Sequence, residues 1–270
     1  MEHDVQLLEA ARWIGEHALV AFGIGLAALL LTCVLLWRLL QWWMVRSQAS
    51  TLPPLVFLLS RLALGFAVLI AGAWVFSEVA EALDAGPALA RADQLVADEI
   101  GRTVPRQVLA GFSLVTHLGD SLLLTLLCIL VAVALLRQGR RGLALGWVVA
   151  VAGNAVLNPA LKAVFMRVRP VHDTALASAS GYSFPSGHTS GSVVAYGMLA
   201  YVLVRTLPPR WHMPVVLAAS ALAFTVGCSR IFLRVHFASD VLAGFASGAA
   251  WLAVCVVSIE WTLHVRRRAV

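Results

Sequence analysis

The sequence predicts an all-α membrane protein, a polytopic helix bundle with about seven transmembrane helices and six as the alternative count. Its composition is the first reason: of 270 residues, 60% are hydrophobic and 13% are charged, whereas a soluble chain has roughly 25% charged residues. The second reason is that the apolar residues form long runs without charge. A soluble chain of this size lacks the polar surface to cover so many buried helices.

Each run is a predicted span, because a bilayer core takes about 20 mostly apolar residues in helical form. Most of the runs reach that length once the flanking turns are included, and the boundaries of the fifth are the least sharply marked. In order, the runs are Ala18–Trp37, Leu62–Ser77, Ser121–Leu136, Gly142–Leu161, Thr189–Val204, Met213–Ser229 and Val241–Ile259.

The arginines predict the orientation of the bundle, because cytoplasmic loops are enriched in Lys and Arg. Arg137–Arg141 lies between the third and fourth runs, and Arg266–Arg268 lies near the end of the chain. With seven spans both clusters lie on the same side, so we expect the C-terminus in the cytoplasm and the acidic N-terminus outside. The short, compact chain suggests a bacterial inner membrane. The net charge of +6 is explained by these cations beside the spans, and no nucleic-acid partner is expected.

The connection between the second and third runs contains a predicted helix, Ala88–Ile100. Leu89, Val96 and Ile100 fall on one face of it, while its charged residues, Asp93 among them, are assigned to the other faces. The helix fits either the membrane surface or a solvated loop.

The four cysteines all lie in or at the end of apolar runs without a CxxC pair, so they are interpreted as small buried hydrophobic residues.

The first polar stretch on the outer side contains Lys162 and Arg169, which are seven residues apart. This spacing predicts that they share one face of a helix, which Pro170 ends. Two such cations bind either lipid phosphate at the membrane edge or a substrate. Arg167 is expected to extend towards the lipid headgroups.

The second stretch is Pro185-Ser186-Gly187-His188, immediately before the fifth run. A turn that leads into a helix leaves N–H groups unpaired, and these groups and the helix dipole attract an anion. The Ser186 hydroxyl is predicted to cap this helix or to bind the same anion.

The third stretch contains Arg230, His236 and Asp240. His236 and Asp240 are four residues apart at the start of the last run, so their side chains are expected to meet. A carboxylate that binds one imidazole nitrogen fixes the tautomer and makes the other nitrogen more basic. Arg234, in the same stretch, is expected to extend to lipid.

All three stretches fall on the same predicted side of the membrane. Together they offer one Lys, two Arg and a helix N-terminus to a phosphoryl group, with two His beside it. This arrangement predicts phosphoryl transfer by positioning and charge stabilisation. No metal or other cofactor is expected, because the outer loops offer no carboxylate cluster that suits Mg²⁺.

These three stretches resemble the three-part signature of the type 2 phosphatidic acid phosphatase superfamily. Its members are integral-membrane lipid phosphatases related to vanadium haloperoxidases. The pattern here is Lys162-x6-Arg169-Pro170, Pro185-Ser186-Gly187-His188 and Ser229-Arg230-x5-His236-x3-Asp240, and Leu114–Asp120 is similar to the usual lead-in of the family. The resemblance covers the last two-thirds of the chain. It implies a phosphatase core over residues 83–270, with an outer loop at 83–117, and a two-span accessory region over residues 1–82.

The resemblance also implies a role for each residue. His236 would attack phosphorus and become a phosphohistidine, Asp240 would orient it, and His188 would act as general acid and then as base. The residues that would hold the phosphoryl oxygens are Lys162, Arg169, Arg230, Ser186 and Gly187. The residues alone show only that His236 is the histidine with a carboxylate partner.

The substrate expected from this site is a lipid phosphate or pyrophosphate taken from the outer leaflet. Undecaprenyl pyrophosphate, phosphatidic acid, phosphatidylglycerol phosphate and lipid A phosphate all qualify. Two alternatives are a lipid-to-lipid phosphotransferase, which differs only in the acceptor, and a non-catalytic lipid-binding or scramblase-like protein. The presence of both histidines and the aspartate argues against the second alternative, and the apolar runs argue against a soluble haloperoxidase. The sequence indicates no oligomeric state.

Overall fold

The computed structural model describes residues 2–48, 54–170 and 180–268. Within these ranges the chain is helical and contains no strand, which confirms the all-α fold class. The helices are α1 (Glu2–Glu16), α2 (Ala18–Gln48), α3 (Pro54–Asp84), α4 (Pro87–Thr103), α5 (Arg106–Thr116), α6 (Ser121–Arg137), α7 (Arg141–Phe165), α8 (Gly187–Thr206), α9 (His212–Phe232) and α10 (Ala238–Arg268).

Each of the seven apolar runs lies in its own helix, but fewer than seven helices qualify as candidate spans by length and composition. Among the described residues, five qualify singly, within α2, α3, α7, α9 and α10. The pair α5 and α6 qualifies as a sixth span with a bend of 45°. The structure therefore supports five to six candidate spans, and the count of seven remains a prediction, as does the orientation of the termini.

The helix that does not qualify is α8, whose first two turns carry Gly, Ser and Thr. It packs against α7, α9 and α10, and ten of its residues are buried. Its polar side chains therefore face protein rather than lipid. The α8–α10 contact is close: a Cβ atom on Gly248 would lie 3.0 Å from the Cα of Ser190. The small residues of α8 and α10 allow the helices that carry the site to approach each other.

The segment 83–117, predicted as an outer loop, is mostly helix. α4 packs against α1 and also contacts α3, α9 and α10. Its apolar face, with Val96 and Ile100, joins a core cluster that includes Phe232 and Leu233 at the end of α9. α4 is therefore more than a solvated loop helix, because one of its faces is packed into the bundle beside the α9–α10 turn. A position at the membrane surface stays a prediction.

The end of α7 differs from the prediction. The helix stops at Phe165, and Met166 takes a left-handed conformation with φ of 46°. Residues 166–170 are not helical. Lys162 and Arg169 therefore do not share one helix face, as the seven-residue spacing predicted. They instead approach the same cavity from a helix end and from the following segment.

Candidate active site

One cavity of about 600 Å³ lies between α6, α7 and α8, beside the α9–α10 turn. Six of the eight predicted site residues line it: Lys162, Arg169, Gly187, His188, Arg230 and His236. The other two, Ser186 and Asp240, are fully buried. The three stretches that the sequence places far apart thus meet at one place.

The turn between α9 and α10 presents His236 to this cavity. The backbone N–H groups of Val235 and His236 donate to the carbonyl of Arg230 and close the turn. Asp240 lies in the first turn of α10, and its Oδ2 accepts from the Phe237 N–H at 2.9 Å and from the Ser183 hydroxyl. The same oxygen lies 3.4 Å from Nδ1 of His236. A proton on Nδ1 therefore points to the carboxylate, and Nε2 is left as the acceptor.

The imidazole of His236 is held in its neutral form. The side chain is 2% exposed, and burial lowers its pKa to about 3, an effect that Asp240 opposes and that Arg169 and Lys162 reinforce. Its Nε2 accepts a hydrogen bond from Nη1 of Arg169 at 3.0 Å. A neutral imidazole whose unprotonated nitrogen faces the cavity suits a nucleophile.

The second histidine also has a carboxylate partner. Nε2 of His188, in the first turn of α8, lies 2.9 Å from Oδ1 of Asp120. Asp120 sits at the bend between α5 and α6, and its other oxygen lies 2.7 Å from Nδ1 of His117. Each of the two cavity histidines is therefore oriented by a carboxylate.

The three cations around the cavity are held mainly by loop carbonyls. Lys162 donates to the carbonyl of Tyr182, and Arg169 donates to the carbonyls of Gly181 and Val235. Arg230 donates from Nη1 to the Thr116 hydroxyl at 2.7 Å. Its Nε is buried and has no hydrogen-bond partner among the residues that the structure describes. This donor and the excess positive charge make the cavity suitable for an anion.

Ser186 is the N-cap of α8, as the Pro-Ser-Gly turn predicted. Its Oγ accepts from the N–H and the hydroxyl of Thr189, and its own N–H donates to the carbonyl of Asp240 at 2.9 Å. The side chain thus serves the helix start and ties it to α10. Gly187, the first residue of α8, faces the cavity.

Sequence reasoning missed Arg167 and Asp93. Arg167 was expected to extend to lipid, which is wrong: it forms ion pairs with Asp240 at 2.7 Å and with Asp93 at 2.8 Å. Asp93 is 4% exposed although it was assigned to a polar face. Helical spacing could have found it, since it lies four residues after Leu89 and three before Val96.

Arg234 was also expected to extend to lipid, and this too is wrong. Its guanidinium lies against α4 at Gly101, where it leaves no room for a Cβ atom. Across the described part of the chain, no group of three or more His, Cys, Asp or Glu side chains is placed to hold a metal ion.

Comparison with known proteins gives this site a context. The sequence model of the PAP2 superfamily matches residues 142–263, which contain all eight predicted site residues. Phosphatidylglycerophosphatase B of Bacillus subtilis (strain 168) is 36% identical over 137 residues, which are 50% of this chain and 66% of that relative. The chain belongs to the PAP2 superfamily.

The fold agrees with this PAP2 membership. The chain resembles the crystal structure of a transmembrane PAP2 type phosphatidylglycerolphosphate phosphatase from Bacillus subtilis with a TM-score of 0.65 and 28% sequence identity. The likeness covers 70% of this chain and 94% of that one. Membership of the PAP2 superfamily and these relatives indicate an integral-membrane hydrolase that acts on phosphate esters.

Proposed function

We propose that this PAP2 protein hydrolyses the phosphate ester or pyrophosphate of a membrane lipid through a phosphohistidine intermediate. The observation that carries the proposal is the single cavity in which His236, backed by Asp240, meets three cations and His188. A lipid-binding protein without catalysis would have no need of a carboxylate behind each histidine.

In the first step, the Nε2 lone pair of His236 attacks phosphorus, and a nitrogen–phosphorus bond forms as the bond to the lipid oxygen breaks. His188 gives its proton to that leaving oxygen. Asp240 holds the Nδ1 proton of His236 and stabilises the charge that develops on the ring. The transferred oxygens carry negative charge, which Lys162, Arg169 and Arg230 stabilise together with the N–H groups at the start of α8.

In the second step, His188 acts as a base. It removes a proton from a water molecule, whose oxygen attacks phosphorus while the bond to His236 breaks. Inorganic phosphate leaves and the starting protonation state returns. In the free protein, Arg169 donates a hydrogen bond to Nε2 of His236. When substrate binds, Arg169 is placed to donate this hydrogen bond to a phosphoryl oxygen instead.

The wall of the cavity favours a lipid substrate. Besides its charged residues, the cavity is lined by apolar side chains from the three surrounding helices, Leu124 of α6, Val151 of α7 and Val194 of α8. Such a wall suits an acyl or prenyl chain. Phosphatidylglycerol phosphate is the first candidate, because both relatives are named for a phosphatase of that lipid.

Hydrolysis without a metal ion is the expected result with purified protein. Phosphate release should be measured for phosphatidylglycerol phosphate, phosphatidic acid, undecaprenyl pyrophosphate and lipid A phosphate, each with EDTA and with added Mg²⁺. We expect release from at least one lipid at the same rate in both conditions, because three cations already supply the positive charge. Activity that EDTA stops and Mg²⁺ restores would contradict the mechanism. Labelled phosphate that appears in a second lipid would instead show a phosphotransferase.

We also propose that the cavity opens on the extracytoplasmic face, that the C-terminus lies in the cytoplasm, and that α1–α3 form an accessory region. The support is the arginine cluster 137–141, which lies at the far end of α6 from Asp120. Substrate would then enter sideways from the outer leaflet of an inner membrane.

Cysteine labelling tests this orientation with two matched variants, Gln107→Cys at the start of α5 and Gln138→Cys after the end of α6. Both positions are exposed, and the four native cysteines would be replaced. A membrane-impermeant maleimide should label Gln107→Cys in intact cells and Gln138→Cys only after the membrane is broken. The opposite pattern would place the reaction in the cytoplasm.

A further inference from the structure

An ion-pair chain connects α4 to the catalytic pair from the side away from the cavity. Arg167 lies between two carboxylates: Nη1 is 2.7 Å from Oδ1 of Asp240, and Nη2 is 2.8 Å from Oδ2 of Asp93. The exposed fraction of the side chain is 13% for Arg167, 0% for Asp240 and 3% for Asp93. Ion pairs in such surroundings are weakly screened, so each depends strongly on its partner.

Three neighbouring residues fix this ion-pair chain in position. Ser239, next to Asp240, donates its N–H to Asp93 at 3.1 Å and accepts from Arg167 at 2.7 Å. The guanidinium lies 4.4 Å from the centre of the Phe237 ring. The carbonyl of Arg167 accepts from the N–H of Ser183, whose hydroxyl donates to Asp240. Arg167 is thus part of a network that includes the first turn of α10.

The two oxygens of Asp240 have separate partners. Oδ1 binds Arg167, while Oδ2 faces Nδ1 of His236. The bond to Arg167 prevents the carboxylate from turning and offsets its buried charge. A carboxylate without that cation would take a proton or rotate, and either change would leave His236 without a partner for its Nδ1 proton.

We propose that Arg167 and Asp93 are positioning residues: Arg167 holds Asp240 ionised and aimed at His236, and Asp93 holds Arg167 from α4. This inference rests on the proposed phosphohistidine mechanism. Asp93 precedes the region that the PAP2 superfamily model matches, residues 142–263. The catalytic pair therefore depends on a helix outside that region. Neither residue lines the cavity, so both act through Asp240 rather than on substrate.

The test compares Arg167→Gln, Arg167→Lys, Asp93→Asn and the double variant Arg167→Gln/Asp93→Asn in the full-length protein. Asp98→Asn is the matched control for Asp93→Asn, because it makes the same change five residues along α4. The measurements are kcat and KM with a lipid phosphate that the wild type hydrolyses, and the rate of phosphoenzyme formation in a single turnover.

For Arg167→Gln we expect kcat and the rate of phosphoenzyme formation to fall together by roughly 10- to 100-fold, the usual effect of losing a partner that orients a reactive group. KM should change little. Arg167→Lys should recover part of the rate, Asp93→Asn should cost less than Arg167→Gln, and Asp98→Asn should behave as wild type. The double variant should be no slower than Arg167→Gln alone, because Asp93 acts through Arg167.

The pH profile separates positioning from a purely structural role. Asp240 is faced by Arg167 and His236, with Lys162, Arg169 and Asp93 nearby. Loss of Arg167 removes a contacting cation, so the acid limb of kcat should move to higher pH in Arg167→Gln, whereas a loss of folded protein alone would scale the whole profile. An unmoved limb, a normal kcat, or a rise in KM alone would overturn the proposal.

If Arg167→Gln does not fold, Arg167→Lys and Asp93→Asn carry the same test, and wild-type rates in both would overturn the proposal. A failure of the proposed phosphohistidine mechanism would show itself differently, because His236→Ala would then remain active. An inactive His236→Ala with a fully active Arg167→Gln rejects only the positioning role.

Discussion

Replacing His236 with Ala should abolish lipid phosphate hydrolysis, with a fall in kcat of roughly 10⁴-fold or more, as for other enzymes that lose a covalent nucleophile. The physical reason is that, in this mechanism, the phosphoryl group bonds covalently to the protein only at Nε2 of His236. The measurement is phosphate release by protein purified in detergent. No phosphoenzyme should be trapped with any substrate.

The control for this variant is His212→Ala. His212 lies at the start of α9, where its ring nitrogen is 2.9 Å from the carbonyl of Leu207. It does not line the cavity, so its loss should leave the rate unchanged. Because His236 is buried, each variant also needs a thermal unfolding curve. A folded His236→Ala protein with a wild-type rate would remove the histidine from the mechanism.

Replacing His188 with Ala should have the second largest effect, and the size should depend on the leaving group. With a lipid substrate we expect kcat to fall by about 10²- to 10⁴-fold, the usual contribution of a general acid or base. With an aryl phosphate, whose oxygen leaves without a proton, the first step should remain fast while attack by water is slow. The phosphoenzyme should then accumulate, and quench-flow with labelled substrate measures it.

His117→Ala is the matched control, since His117 binds the same Asp120 but does not line the cavity. It should turn over the aryl phosphate without a trapped intermediate. If His188→Ala accumulated no phosphoenzyme while His236→Ala did, the two histidines would have to exchange roles.

Much of the site could be predicted because local rules apply to it. The four-residue spacing of His236 and Asp240 brings their side chains together at the start of α10, and the Pro-Ser-Gly turn makes Ser186 a helix cap. Both features depend on a few neighbouring residues. The convergence of the three stretches followed from the expectation that all lie at one end of the helices.

The features that could not be predicted depend on tertiary packing. Nothing near Met166 marks the left-handed residue that ends α7 before Pro170, so Lys162 and Arg169 looked like one helix face. Helical spacing could have placed Asp93 on the packed face of α4, but nothing local indicates its partner, because Arg167 follows 74 residues later. The polar start of α8 weakens its signal as a span because the surrounding helices, rather than lipid, cover it.

Direct detection of the phosphoryl group on the protein tests the central claim. His188→Ala protein would be mixed with a ³²P-labelled aryl phosphate, quenched, digested and sequenced by mass spectrometry. We expect one phosphoryl group, labile in acid and stable in base, on His236. A label on another residue, such as Ser186, would contradict the phosphohistidine mechanism. So would hydrolysis of substrate without any labelled protein at the earliest times.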